Sequence, residues 1–250
     1  MKRALITGAS AGIGHATALR LAGEGYDLVL MARRADRLEQ IRTELERDFH
    51  VSVIPLVADI RDIEGLRSQL SAMKREISKV NVLVNNAGLA KGTEKFQDAD
   101  LADWDVMLDT NVKGLLALTR LLLPTFLANK NGHIVNIGSV AGRWVYPGGA
   151  VYCATKFAVR AISEGLRMDL LGTPIRVTNI EPGMVESEFS MVRFNDEDKA
   201  KSVYAGMTPL SSDDIADCIS WTLSRPAHVN IQELLIFPTD QGAISQVHRI

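Results

Sequence analysis

The chain has 250 residues, 46% hydrophobic and 23% charged, with a net charge of −2 at neutral pH. That length and apolar fraction suit one globular domain with a full core. The charge balance offers nothing to a nucleic-acid backbone, and no apolar stretch reads as a membrane span. Cys153 and Cys218, the only cysteines, lack metal-ligand spacing and read as small hydrophobes in a reducing compartment, so neither a metal nor a disulfide is expected.

In chain order, short apolar runs at 3–7, 27–31, 51–56, 82–84, 133–137, 176–180 and 233–237 are predicted as strands. Apolar residues fill consecutive positions in them, which marks strands covered on both faces. Helices are predicted at about 12–24, 35–48, 62–78, 101–128, 148–171 and 212–224; Leu38, Ile41 and Leu45 share one face of the second. This alternation predicts an α/β fold: a doubly wound, seven-stranded parallel sheet of the Rossmann type, in a single domain spanning 1–250. Residues 181–210 break the rhythm with two prolines and several charges, and are predicted to form a substrate lid. The N-terminus runs straight into a glycine-rich turn with no apolar leader, which points to the cytoplasm.

That turn is Thr7-Gly8-Ala9-Ser10-Ala11-Gly12-Ile13-Gly14, between the first strand and the first helix. Gly8 permits a tight exit, Gly12 a close approach of backbone to a diphosphate, and Gly14 close packing of helix on sheet. Free N–H groups at the helix start then meet the anion. The second strand ends in Ala32-Arg33-Arg34, with guanidiniums where an NAD site places a carboxylate. Arg33, helped by Arg34, is therefore expected to bind the 2′-phosphate of NADP.

Tyr152 and Lys156 stand four apart on a predicted helix, so their side chains share a face. Ser139 follows the apolar run 134–137, at a strand's carboxyl end, where open α/β sheets bind ligands. Asn85-Asn86-Ala87-Gly88 ends the fourth strand at the same edge. An ammonium beside a phenol favours phenolate, so Tyr152 is expected to titrate below its ordinary value and exchange a proton with substrate. Ser139 can donate to the substrate oxygen, and Asn111, within a helix, can hold a water.

Taken in order, Thr7-Gly8-x-x-x-Gly12-x-Gly14, Asn85-Asn86-Ala87-Gly88, Asn111, Ser139, Tyr152-x-x-x-Lys156 and Pro182-Gly183 resemble the short-chain dehydrogenase/reductase family over essentially the whole chain. The resemblance implies a catalytic tetrad of Asn111, Ser139, Tyr152 and Lys156. In it Lys156 also bonds the nicotinamide ribose, and Asn111 links Lys156 to solvent. It further implies cofactor contacts from Gly8, Ser10, Ala11, Gly12, Ile13, Gly14, Arg33 and Arg34, with Asp59 on adenine beside Ile60. Asn86, Ala87 and Gly88 would line the cofactor on one side, and Pro182, Gly183, Val185 and Ser187 on the other; Ser187 stands where the family often has threonine.

The closer likeness is to the NADP-dependent 3-hydroxy acid dehydrogenases. It rests on Asn85-Asn86-Ala87-Gly88-Leu89-Ala90, Ile180-Glu181-Pro182-Gly183, Glu188-Phe189-Ser190-Met191-Val192-Arg193-Phe194 and Phe237-Pro238-Thr239-Asp240-Gln241. This implies interconversion of the 3-hydroxyl of serine, L-allo-threonine or 3-hydroxypropionate with the carbonyl. A carboxylate substrate wants a guanidinium: Arg143, one turn past Ser139, and Arg193, in the lid, are the candidates, with Arg193 favoured. Glu186 and Glu188 of the lid could repel an anion or receive an amino group.

Two other readings stay open. One is an NADPH-dependent reductase of larger carbonyl compounds (3-oxoacyl thioesters, quinones or steroids), against which the acidic lid weighs. The other is a non-catalytic NADP-sensing regulator, which would have no need of a full tetrad. The resemblance also implies a homodimer or homotetramer, paired through the helix that bears Tyr152.

Overall fold

In a computed structural model, which describes residues 2–250, the apolar runs form one parallel sheet in the order β3-β2-β1-β4-β5-β6-β7. The strands are β1 (Arg3–Thr7), β2 (Asp27–Ala32), β3 (Val53–Val57), β4 (Val82–Asn85), β5 (Gly132–Ile137), β6 (Ile175–Pro182) and β7 (Glu233–Ile236). Leu5 of β1 lies opposite both Val29 of β2 and Leu83 of β4. The strand order reverses at β1 and β4, so their carboxyl ends part and open a crevice.

The helices are α1 (Gly12–Gly23), α2 (Ala35–Phe49), α3 (Ile63–Ala72), α4 (Lys74–Ile77), α5 (Leu101–Leu108), α6 (Leu115–Asn129), α7 (Ala150–Asp169), α8 (Glu188–Phe194), α9 (Glu197–Ser202) and α10 (Ser212–Leu223). Successive strand residues point to opposite faces, and both faces are covered. Ala4, Ile6, Leu28 and Leu30 pack with Leu21 of α1, Leu38, Ile41 and Leu45 of α2, and Ile215 and Ile219 of α10. Leu5, Val29, Leu83 and Ile134 pack on the other face with Leu66 and Leu70 of α3 and Leu118, Leu122 and Phe126 of α6. Each fully buried aliphatic side chain contributes about 1.5–3 kcal/mol. The pattern of consecutive apolar residues therefore yields two core layers from one set of strands.

The two long helices predicted at 62–78 and 101–128 are each divided. Met73 separates α3 from α4, and a π-helical stretch, Asp109–Gly114, separates α5 from α6. At Gly114 the chain is pressed against Ile60: an added Cβ would lie 2.8 Å from Ile60 Cγ1. Local spacing carries no sign of that contact. The stretch Leu101–Asn129 is long and apolar enough to cross a membrane, but its buried positions are spent on the sheet. A hairpin of β8 (Gln241–Ala243) and β9 (Gln246–Val247) ends the chain, where the apolar pattern predicts no strand.

The predicted lid also changes shape. Residues 181 and 182 belong to β6, and the segment beyond them folds as α8 and α9. A parallel bridge between Val185 and Leu210 closes the base of the segment. Glu186 N donates to Leu210 O at 2.8 Å, and Leu210 N to Met184 O at 2.9 Å.

One buried group in the sheet responds to pH. Thr178 Oγ1 donates to Ile231 O at 2.7 Å, so it accepts from His133 Nε2 at 2.8 Å. His133 Nδ1 is buried with no partner. Burial, reinforced by the Arg176 charge, pushes the imidazole from its ordinary 6.5 down to about 3. The neutral ring is the folded form, so its contribution to stability is whole above pH 6.5 and is lost as the pH falls toward 3. Urea midpoints of the wild type should therefore drop below pH 6.5, by up to about 1.4 kcal/mol per pH unit, and His133→Gln should flatten that slope.

Candidate active site

The glycine turn is held against the ends of β1 and β4 by contacts that leave no room for a Cβ. Gly8 and Gly12 have φ of +64° and +52°, a region costly for other residues. A Cβ on Gly14 would lie 2.4 Å from Gly8 O and 2.6 Å from Asn86 Nδ2. Asn86 ties the turn from the other side, its Nδ2 donating to Thr7 O at 2.9 Å. Thr7 Oγ1 accepts from the amides of Asn86 and Ala87 at 2.9 and 2.8 Å. Helix α1 starts with no side-chain cap and no acidic residue in its first turn. Its leading amides are thus left for an anion.

This turn forms one wall of a cleft of about 400 Å³ that runs along the strand ends. Gly8, Ser10, Ala11, Gly12, Ile13, Asn86, Ala87 and Gly88 line it, as do Asp59, Ile60, Pro182, Gly183, Val185 and Ser187. Gly14 does not line it; its part is the close packing behind the turn. Ser187 caps α8, accepting from Phe189 N at 3.3 Å, which leaves its hydroxyl proton to give.

The two arginines after β2 behave differently. Arg33 is exposed, lines the cleft and makes no hydrogen bond or ion pair among the described residues. Arg34 is engaged: its Nε donates to Ser10 Oγ at 3.1 Å and its Nη2 pairs with Glu188 at 3.0 Å. The expectation that Arg34 is free to help Arg33 is corrected to that extent, because a lid carboxylate distant in sequence claims it. Asp59 is chelated by Arg61, whose Nη2 lies 2.6 Å from its carboxylate, and this holds the carboxyl below its usual range.

At the far end of the cleft stand Ser139, Tyr152 and Lys156. Ser139 opens a short 3-10 turn, Val140–Gly142, by accepting from Ala141 N at 3.1 Å. Its hydroxyl donates to Pro182 O at 3.5 Å, and its influence lowers the Tyr152 phenol. Tyr152 and Lys156 lie on α7, with the ammonium 5.8 Å from the phenol ring centre. Lys156 Nζ donates to Ile137 O at 2.8 Å.

Burial governs both titrations. It raises the Tyr152 phenol well above its ordinary value, outweighing the Ser139 hydrogen bond and the Arg193 charge, which lower it. It pushes Lys156 down to about 8. The acidification expected from Lys156 and a bound nicotinamide is opposed, in the protein alone, by burial of the phenol, with the ammonium 5.8 Å from the ring centre.

The remaining candidates divide. The Asn111 side chain is not open to a water. Its Oδ1 accepts from Leu89 N at 2.9 Å, and its Nδ2 donates to Leu89 O at 2.8 Å and Thr155 Oγ1 at 3.1 Å. A relay through that side chain is corrected to a clamp on the 88–89 backbone. Arg143 is turned away from the cleft into ion pairs with Glu181 and Glu233. Its expected role in binding a carboxylate is corrected accordingly. Arg193 does not line the cleft: its Nε donates to Gly92 O at 3.2 Å and its Nη1 to Tyr146 Oη at 3.0 Å, and only its charge reaches Tyr152, lowering the phenol.

A family model described as short chain dehydrogenase matches residues 2–198. The chain belongs to that family. The NADP-dependent 3-hydroxy acid dehydrogenase of Schizosaccharomyces pombe is 44% identical over 250 residues, covering 99% of this chain and 96% of the relative. Sulfoacetaldehyde reductase 2 of Chromohalobacter salexigens is 45% identical over 240 residues, covering 95% and 94%. A solved closed form of serine dehydrogenase complexed with NADP+ superposes with a TM-score of 0.91 at 41% identity, covering 99% of this chain and all of that one.

Within this member of the family, sequence reasoning passed over Tyr146 and gave Leu89, Phe189 and Val192 no place at the site, only a part in the stretches of subgroup likeness. Phe189 stacks at 5.7 Å from the Tyr152 ring, and Leu89, Phe189 and Val192 line the cleft beside it. The apolar character of Leu89, Phe189 and Val192 does not distinguish a pocket wall from a core residue, and a lone tyrosine such as Tyr146 gives no sign of its distant partner Arg193.

Proposed function

We propose that this chain transfers hydride between NADP(H) and the carbon bearing the 3-hydroxyl of a small, anionic hydroxy acid. The substrates are of the serine, L-allo-threonine and 3-hydroxypropionate type, with the corresponding semialdehydes in reverse. The observation that carries the reading is the meeting of Ser139, Tyr152 and Lys156 at one end of a cleft whose other end is the glycine turn and Arg33.

The residues fit the dinucleotide. Capless amides of α1 and the glycine backbone suit a diphosphate. Arg33, exposed in the cleft and with only its charge felt by Asp59, suits the 2′-phosphate. Ser187 and the Pro182-Gly183 backbone line the nicotinamide end. NADP(H), when bound, supplies or accepts the hydride.

The chain's own residues handle the oxygen and its proton. Ser139 Oγ donates to the substrate oxygen and holds it beside the Tyr152 phenol. In reduction, Tyr152 gives its proton to that oxygen as it gains charge. The Lys156 ammonium steadies the phenolate left behind. In oxidation the same phenolate takes the hydroxyl proton.

The anionic end of the substrate falls to Arg193. It follows the cleft-lining Val192 on α8, its charge reaches Tyr152, and no bond is spent by its Nη2. The relatives' names, a 3-hydroxy acid dehydrogenase and a sulfoacetaldehyde reductase, both describe small substrates with an anionic group. The segment closed at its base by Val185 and Leu210 acts as the lid. Exposed Phe157 and Met168 on α7 supply a face for pairing into a homodimer or homotetramer.

Tyr152→Phe should cut turnover about 10²–10⁴-fold while leaving NADPH binding, followed by its fluorescence, unchanged; retained turnover rejects the role. Arg33→Ala should raise the KM for NADP about 10- to 100-fold and spare that for NAD, whereas equal changes count against the 2′-phosphate contact. Arg193→Met should lower kcat/KM for serine and 3-hydroxypropionate about 10- to 100-fold and leave a neutral alcohol nearly unaffected; equal loss on both removes the clamp.

A further inference from the structure

A set of charged side chains behind the proposed reaction centre takes part in none of the steps above. Glu181 is wholly buried near the end of β6. Its Oε2 accepts from the Arg143 guanidinium, and its Oε1 from Asn179 Nδ2 at 2.8 Å. Arg143 also pairs with Glu233 of β7, and Glu233 accepts from Arg160 Nε of α7 at 3.1 Å. The set is closed by Arg160 Nε, 4.0 Å from Glu181 Oε1. Two carboxylates thus meet two guanidiniums. Buried pairs of this kind are often no more stable than apolar side chains of equal size, so stability alone is a weak reason for them.

Each arm of the set ends close to a reacting group. Ser139 opens the turn that Arg143 closes: Gly142 N donates to Ser139 O at 2.8 Å and Arg143 N to Val140 O at 3.0 Å. Glu181 precedes Pro182, whose carbonyl accepts from Ser139 Oγ at 3.5 Å. Gly138, just before Ser139, is packed so tightly that a Cβ would lie 3.2 Å from Glu181 Cγ. Arg160 follows Lys156 by one turn of α7.

We propose that Glu181 is a positioning residue: by clamping Arg143 it fixes the turn that aims the Ser139 hydroxyl at the substrate oxygen. The inference rests on the proposed function, in which Ser139 holds that oxygen. A hydroxyl displaced by a fraction of an ångström still binds substrate but stabilises the transition state less. The loss therefore falls on kcat rather than on the KM for NADP.

The test is a double-mutant cycle on the full chain. Glu181→Gln keeps the shape and removes the charge that Arg143 answers. It should lower kcat about 10- to 100-fold with the KM for NADP unchanged. If Glu181 acts through Ser139, adding E181Q to Ser139→Ala slows turnover no further. Losses that multiply in the double variant overturn the proposal, as does wild-type kcat in E181Q beside a crippled S139A. Wild-type kcat in S139A removes the Ser139 role itself and the proposal with it. Should E181Q fail to fold, Glu233→Gln, at the more open side of the set, is carried through the same cycle, and the same outcomes support or overturn the proposal.

Discussion

The site depends on how closely the first turn of α1 can approach the end of β1. Gly14 passes so near the Gly8 carbonyl that one added carbon would sit 2.4 Å from it. That approach points the uncapped start of α1 into the crevice where the strand order reverses. Asn86 closes the arrangement by bonding back to Thr7, which ties the ends of β1 and β4 together. The cleft and the free amides at the start of α1 both follow from it.

The reaction centre is built by burial more than by charge. Desolvation moves Tyr152 up and Lys156 down, each toward its neutral form. A phenol kept protonated is a ready proton donor, and a buried ammonium near it gains most when the phenolate appears. Helix α8 adds a guanidinium whose charge reaches Tyr152, with Tyr146 and Gly92 holding Arg193 in place. The same segment meets the glycine-turn end of the cleft as well, through Arg34 and Glu188. Both ends of the cleft are therefore bordered by the same segment.

Much of this was legible in the chain. Consecutive apolar runs foretold seven strands because a parallel sheet is covered on both faces, and all seven formed within a few residues of their expected limits. The glycines at 8, 12 and 14, and the four-residue step from Tyr152 to Lys156, carried their geometry in their spacing. Misreadings arose where a partner lies far along the chain. In the bare sequence Arg143 is free to hold a substrate, yet its partners Glu181 and Glu233 stand 38 and 90 positions away. Asn111 is likewise open to a water there, yet in the fold it is spent on Leu89 and Thr155.

By itself, then, the sequence determined the architecture, the edge of the sheet that holds the cleft, and the kinds of group gathered there. Those features rest on periodicity and on backbone freedom, which are local. Tertiary structure alone decided which charged side chains face the cleft and which are neutralised behind it, and how strongly burial shifts the two titrating groups. The reason is physical: pairing and desolvation depend on distance and on excluded water, and neither exists until the distant segments have packed.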